Sequence, residues 1–170
     1  DRLALMGGAE IRRNRFDNFN TVLNSHRTTP RGPVIAADTV LSDDLATETT
    51  KALYGEARYG LSDTTVATLN LRHDRIRIDF DAKPVASNGN RLVAEHQSFD
   101  VDSFRLGLTR DLGAAASVFA AVSTGFRAPT AEQLYRGETT TSALVLSNPD
   151  LEPEKAVGIE VGLNRRTGLM

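Results

Sequence analysis

The sequence predicts an all-β fold of antiparallel, up-and-down strands. Six segments alternate apolar and polar residues with a period of two, as strands with two different faces do. The connections between these segments also alternate, in the order long, short, medium, short and long. The segments run to about twice the ~5–6 residues of a typical strand. These three observations favour one sheet of long strands with one polar face and one apolar face.

Each segment places its apolar residues on one face. In chain order these residues are Leu3, Leu5, Gly7, Ala9 and Ile11; Leu53, Gly55, Ala57, Tyr59 and Leu61; Ala67, Leu69 and Leu71; Phe104, Leu106 and Leu108; Val118, Ala120 and Val122; and Val157, Ile159, Val161 and Leu163. Charged residues in the central part of each segment fall on the opposite face. A slip of one residue would move every charge to the apolar face, so the pattern specifies the register strongly.

The third segment changes its pattern after Asp74. From there the apolar positions are Ile76, Ile78 and Phe80, which have the opposite parity. A β-bulge near His73 would explain the change. A strand that rises above the apolar band and no longer needs the pattern would explain it equally.

The connections are assigned from their turn-forming and polar residues. In chain order they are a long polar stretch from Asp17 to Thr47, a tight turn at Ser62-Asp63-Thr64, a medium loop containing Asn88-Gly89, a short turn at Arg110-Asp111-Leu112-Gly113, and a long loop from Arg127 to Glu152. Outer-membrane barrels have short turns at one end and longer loops at the other. A soluble antiparallel sandwich also alternates in this way. The pattern by itself leaves both classes open.

Composition excludes several other classes. The net charge is −2, so no attraction to nucleic acid is predicted. There is no cysteine, and therefore no disulfide framework and no thiolate metal site. The three histidines, His26, His73 and His96, lack metal-ligand spacing, and no nucleophile motif or phosphate loop is present. We therefore predict no enzymatic activity, no metal and no cofactor.

Two stretches near the C-terminal end mark the ends of two strands. One is Gly125-Phe126-Arg127-Ala128-Pro129-Thr130, with Glu132, Leu134 and Tyr135 after it, and the other is Asn148-Pro149-Asp150-Leu151-Glu152-Pro153-Glu154. Pro129 cannot donate to a sheet ladder, so a strand that reaches it must stop or leave the sheet. Asn148-Pro149-Asp150 is a turn former. The stretches are the two ends of one long loop between successive strands, and we call these ends its feet.

These two stretches resemble the late-barrel signature of TonB-dependent outer-membrane receptors. The pair formed by Tyr54–Tyr59 and Leu69–Arg75 is similar to an upstream strand pair of the same family, so the resemblance covers most of the chain. It implies that residues 1–170 are part of a transmembrane β-barrel in the bacterial outer membrane. It also implies a plug domain and further strands, to about 22 in all, that this chain lacks. Six strands with two open edges are not expected to fold as a stable isolated monomer.

The resemblance further implies a function in nutrient import. The expected cargo is a ferric siderophore, and the expected partners are outer-membrane lipid and a TonB-type energising protein that acts through the plug. No histidine lies between Arg127 and Asn148, which makes haem a less favoured cargo. The alternatives are a passive porin-type barrel and a soluble β-sandwich domain for adhesion or carbohydrate binding.

Residue roles follow in two groups. Residues of the two stretches that are expected to hold the loop to the barrel rim are Gly125, Phe126, Arg127, Ala128, Pro129, Thr130, Glu132, Tyr135, Asn148, Pro149, Leu151, Pro153 and Glu154, and Glu160 in the following strand is expected to have a structural role. Arg127 is expected to pair with Glu132, Glu152 or Glu154, and Glu160 with Arg105 or a plug residue. Contacts to a ligand are expected on the loops, at Arg27, Arg31, Tyr135 and Arg136, because cationic and aromatic loop residues suit anionic, aromatic chelates.

Overall fold

A computed structural model describes residues 2–21, 23–27, 30, 34–82, 95–113, 115–135, 138–139, 144–145 and 148–165. The elements are the strands β1 (Leu3–Thr21), β2 (His26–Arg27), β3 (Val34–Ile35), β4 (Val40–Ser62), β5 (Thr65–Ala82), β6 (Glu95–Asp111) and β7 (Ala116–Arg127), the helix α1 (Ala131–Tyr135), and the strands β8 (Glu138–Thr139), β9 (Leu144–Val145) and β10 (Glu154–Arg165). Six long strands form one antiparallel sheet in the order β1-β4-β5-β6-β7-β10. The predicted all-β, up-and-down fold is confirmed.

The long strands extend further than the apolar alternation does. The stretch from Asp17 to Thr47 was expected to be a polar loop, and for much of its length this is wrong. Strand β1 continues to Thr21 and β4 begins at Val40, with Asp17 paired to Leu45. A ladder of backbone hydrogen bonds does not require apolar side chains, so the strands continue where the apolar pattern stops. Within the described helices, none is long and apolar enough to cross a membrane.

The other connections agree with the sequence where they are described. Strands β4 and β5 meet in a tight turn, with Ser62 paired to Thr65. The short connection between β6 and β7 contains Gly113, whose φ of 88° lies in the left-handed region that glycine tolerates. The long loop begins after Arg127 and ends before Glu154. The medium loop with Asn88-Gly89 lies outside the described residues.

The sheet has two chemically different faces. The outer face carries an apolar row that crosses all six strands, formed by Leu5, Ala57, Leu69, Leu106, Val122 and Ile159. Together with neighbouring rows it makes an apolar band, in which Leu5 is 73% and Ile159 is 79% exposed. The inner face carries the alternate row, formed by Met6, Glu56, Asn70, Arg105, Ser123 and Gly158. The register therefore keeps the charged residues off the apolar band, as the alternation predicts.

The change of pattern in β5 occurs without a bulge. Strands β4 and β5 pair in unbroken register from Gly60–Val66 to Asp44–Ala82, so the predicted bulge near His73 is wrong. The alternative explanation holds, because β5 rises beyond the apolar band. There its outer face carries exposed charge at Arg75 and Arg77, and its inner face becomes apolar.

The main hydrophobic cluster lies on this upper part of the inner face, at the end with the long loops. Its members are Ala46, Ile76, Ile78, Phe80, Phe99, Val101, Leu134 and Tyr135, with Phe126, Ala128, Ala131 and Leu151 packed against it. Helix α1 supplies Leu134, which is fully buried, and Tyr135. Each such side chain contributes about 1.5–3 kcal/mol through burial. The cluster therefore fixes the long loop against the sheet.

Two glycines on the inner face sit beneath aromatic rings of the neighbouring strand. A Cβ at Gly8 would overlap the ring of its cross-strand partner Tyr54, and a Cβ at Gly162 would overlap the ring of Phe119. Each ring covers the backbone that the glycine leaves bare, a device that stabilises glycine in strands. Glycine is required at these two positions by close approach and not by backbone conformation.

Candidate functional site

Helix α1 begins with a reciprocal cap. The Gln133 backbone N–H donates to Thr130 Oγ1 at 3.3 Å, and the Thr130 backbone N–H donates to Gln133 Oε1 at 3.0 Å. This is the geometry of a capping box, with glutamine at the third helical position. Pro129, just before the cap, is buried and needs no hydrogen-bond acceptor for its nitrogen. The first stretch of the sequence therefore ends β7 and starts α1.

The second stretch is hydrogen-bonded to the first. The Asn148 backbone N–H donates to the Gln133 carbonyl at 3.1 Å, and the Asp150 N–H donates to Asn148 Oδ1 at 3.1 Å, which forms the expected turn. The Gln97 side chain of β6 donates to the Pro149 carbonyl at 3.1 Å. The two feet of the long loop are thus joined to each other and to the sheet.

Ion pairs link neighbouring parts of the sheet as well. Arg127 contacts Glu154 at 2.8 Å across β7 and β10, so Glu154 is the partner among the three carboxylates considered. Glu160 contacts Arg105 of β6 at 2.8 Å. Both pairs are well exposed, so each stabilises the fold by only about 0–1 kcal/mol.

A cleft of about 310 Å³ lies between α1 and the upper inner face. Apolar side chains line part of it and polar side chains, three of them carboxylates, line the rest. The residues are Phe16, Asn18, Asp44, Ala46, Glu48, Ile78, Phe80, Thr130, Ala131 and Glu132. Asp44 is buried and accepts a hydrogen bond from Asn18 at 3.2 Å, and Glu48 accepts one from Asn14 at 3.4 Å. An apolar floor beside carboxylates suits a ligand that has an apolar body and hydrogen-bond donors.

A buried carboxylate lies closer to the apolar band on the same face. Asp74 is 2% exposed and accepts two hydrogen bonds from Arg72, each at 2.8 Å. Arg72 also donates to Glu10 at 3.1 Å, and its guanidinium lies 6.0 Å from the centre of the Tyr54 ring. Sequence reasoning missed this network. The available signal was the Arg72-Asp74 spacing, which places both residues on the same face of a strand.

Tyr135 and Asp79, which lie beyond the apolar band, have pKa values shifted by their surroundings. Burial raises the pKa of the Tyr135 phenol, and the Glu95 and Asp79 carboxylates raise it further. The Tyr135 ring stacks on Phe80 with 5.3 Å between the ring centres. A hydrogen bond from Arg77 lowers the pKa of Asp79.

Of the four residues expected to contact a ligand, only Tyr135 has a described side chain. Tyr135 is buried in the hydrophobic cluster against the sheet. Arg27 belongs to β2, but its side chain is not among those described, and Arg31 and Arg136 lie outside the described residues. Their ligand role stays a prediction. Within the described part of the chain, no group of three or more His, Cys, Asp and Glu residues is arranged to hold a metal ion.

Solved structures contain the same fold. The copper transporter OprC superposes with a TM-score of 0.70 over 98% of this chain, at 18% sequence identity. The chain spans 25% of the length of that protein. No curated protein matches the sequence. A family model described as "TonB dependent receptor-like, beta-barrel" matches residues 2–169. Because that match extends over nearly the whole chain, the chain belongs to the β-barrel family of TonB-dependent receptors, which are proteins of the bacterial outer membrane.

Proposed function

We propose that the chain forms wall and loop surface of a receptor that imports a scarce nutrient through the outer membrane, energised by a TonB-type protein. The observation that carries the proposal is the family match over residues 2–169. The outer face supports it, since a continuous outward-facing apolar band is what a lipid-facing wall requires. The chain spans a quarter of the matched transporter, so import is an activity of the whole receptor and not of this segment.

The cargo we propose is a ferric siderophore. Such chelates are often anionic, and the loop arginines Arg27, Arg31 and Arg136 would attract them. The cleft carries carboxylates at Asp44 and Glu48, which repel an anionic group. We therefore propose that the loop arginines bind the charged part of the chelate and that an apolar part of it contacts the cleft. Copper is the cargo of OprC, and an identity of 18% transfers only the fold.

For the two motif stretches we propose a structural role. Arg127, Thr130 and Asn148 engage residues of the loop or of the neighbouring strand. Such contacts would hold the long loop over the inner face while ligand contacts vary elsewhere.

Growth of a strain that lacks the receptor gene tests the cargo. Under iron limitation, we expect the strain to lose growth on a ferric siderophore and to regain it with the wild-type gene. Replacing Arg27, Arg31 and Arg136 together by glutamine should weaken rescue, whereas Arg110→Gln, at the short-turn end, should rescue fully. Equal growth on every siderophore with and without the gene would remove the assignment.

Energy dependence separates the receptor from a passive barrel. Import through a TonB-dependent receptor should stop when the proton gradient is collapsed, whereas diffusion through a porin should continue. Uptake of the cargo that persists without the gradient would favour the porin alternative.

A further inference from the structure

The outer face carries a group of cations directly above the apolar band. We define the outer basic patch as Arg13, Lys51, Arg75 and Arg77, which lie on β1, β4 and β5 and are all exposed. Lys51 stands directly opposite Arg75, and in the next row Arg13 and Arg77 flank Thr49. Three adjacent strands therefore converge their positive charge on one small area.

The close approach of these cations is electrostatically unfavourable, and the neighbouring carboxylates offset it only in part. Like charges directly opposite each other destabilise a strand pair. Arg77 is neutralised by Asp79 at 2.8 Å, but the nearest carboxylate to Arg75 is Asp100 at 3.9 Å, which His73 also approaches. No ion pair of Lys51 occurs among the described residues. The patch therefore has an excess of positive charge that its own strands do not neutralise.

The height of the patch above the band indicates what it meets. The row of Lys51 and Arg75 lies two residues beyond Leu53, an apolar residue of the band. Two residues advance a strand by about 6.6 Å, and a strand tilt near 45° reduces this to about 5 Å along the membrane normal. The polar layer on each side of a bilayer is about 5–8 Å thick. The patch therefore lies at the level of the lipid head groups.

We propose that the outer basic patch binds phosphate groups of outer-leaflet lipid. Arginine matches phosphate with paired N–H donors, and lysine adds a compact charge. The patch is continuous with the lipid-facing band, so lipid acyl chains and phosphates can engage the same wall together. The inference rests on the membrane orientation in the proposed function and not on its cargo.

Binding can be measured on the full-length receptor that contains this wall. Native mass spectrometry in detergent would follow titration with bisphosphorylated lipid A and, in parallel, with its dephosphorylated form. Each cation near a membrane surface is worth about a fivefold change in binding. We expect the Lys51→Gln/Arg75→Gln double variant to bind the phosphorylated lipid roughly 25-fold more weakly. The dephosphorylated lipid should bind both proteins equally weakly.

Two controls identify the site and its chemistry. Arg110→Gln removes an exposed arginine from the short-turn end and should leave binding unchanged. The exchange Lys51→Arg/Arg75→Lys keeps both charges and should retain binding, and it shows that the site tolerates substitution. Unchanged binding by the glutamine double variant, or an equal loss in Arg110→Gln, would overturn the proposal. Full displacement by millimolar inorganic phosphate would also overturn it, because the site would then be one for free phosphate.

Siderophore-dependent growth is read separately from lipid binding. If siderophore-dependent growth fails and lipid binding is intact, this inference stands and the cargo assignment is lost. If lipid binding fails and siderophore-dependent growth is intact, only this inference is lost.

Discussion

Replacing Leu134 by alanine should release helix α1 from the sheet while the barrel wall stays folded. Leu134 has 0% exposure and lies in the cluster that also contains Ile78 and Phe80. A buried leucine-to-alanine change costs about 3 kcal/mol when the site cannot collapse. A five-residue helix is far below the ~12–15 residues that are marginally stable alone. The loss should therefore appear as local opening of the loop.

Hydrogen exchange on the full-length receptor measures this opening. The amides of Leu134 and Asn148 donate to Thr130 and Gln133, so their protection reports α1 and its contact with the second foot. A cost of about 3 kcal/mol corresponds to exchange that is roughly 100-fold faster at both amides. Amides in the middle of β5 should be unaffected.

A matched control uses the outer face. Ile159→Ala removes a similar volume from a side chain that is 79% exposed on the sheet and turned away from α1. It should leave both amides protected. Unchanged exchange in Leu134→Ala, or an equal effect in Ile159→Ala, would show that burial against the sheet does not hold the loop.

Three further predictions concern the inner face. Gly162→Ala should lower the free energy of unfolding by about 1–3 kcal/mol, because the added Cβ displaces the Phe119 ring. The control Gly125→Ala should not lower it in this way, because its Cβ meets open space. Urea unfolding from vesicles measures both variants. Arg72→Gln should lower the free energy of unfolding by about 3–5 kcal/mol, since it leaves the buried Asp74 carboxylate without its cation. Arg105→Gln breaks an exposed pair and should lower it by less than ~1 kcal/mol. Equal losses in the two variants would contradict this. Tyr135 should lose its proton at a higher pH than an ordinary tyrosine because burial raises its pKa. The contribution of the neutral phenol to stability is complete below about pH 10 and is lost as the pH rises through the raised pKa. The difference in phenolate absorbance between wild type and Tyr135→Phe should therefore rise only above the pH at which ordinary tyrosines ionise.

The apolar band of the outer face could be predicted from sequence almost completely. Alternation through Leu69 and Leu71 excludes a slip of one residue, which would put charge on the apolar face, and the structure has the predicted faces. The same reasoning left Arg105 or a plug residue as the partner of Glu160, because a carboxylate facing inward in mid-strand needs a nearby cation, and the structure pairs it with Arg105. The ends of the long loop at Arg127 and Glu154 followed from proline and turn chemistry.

The upper inner face could not be predicted in this way. Sequence alternation reverses its parity after Asp74 because both faces change environment there, and no local signal says what covers Ile78 and Phe80. The cover comes from α1, more than fifty residues further along the chain. The Arg72–Asp74 pair was missed for a related reason, since the burial of Asp74 depends on residues that are distant in sequence.

The sequence by itself determined the apolar parts of the six long strands, the two faces of the sheet, the ends of the long loop and the family of the chain. These features depend on residues that are close in sequence: the period of a strand, the φ restriction of proline, and turn-forming asparagine and aspartate. Only the tertiary structure decided which parts of the inner face are dry, where the cleft lies, and which cations share a row above the apolar band. Those features depend on packing and register between strands that are distant in sequence, which local patterns do not encode.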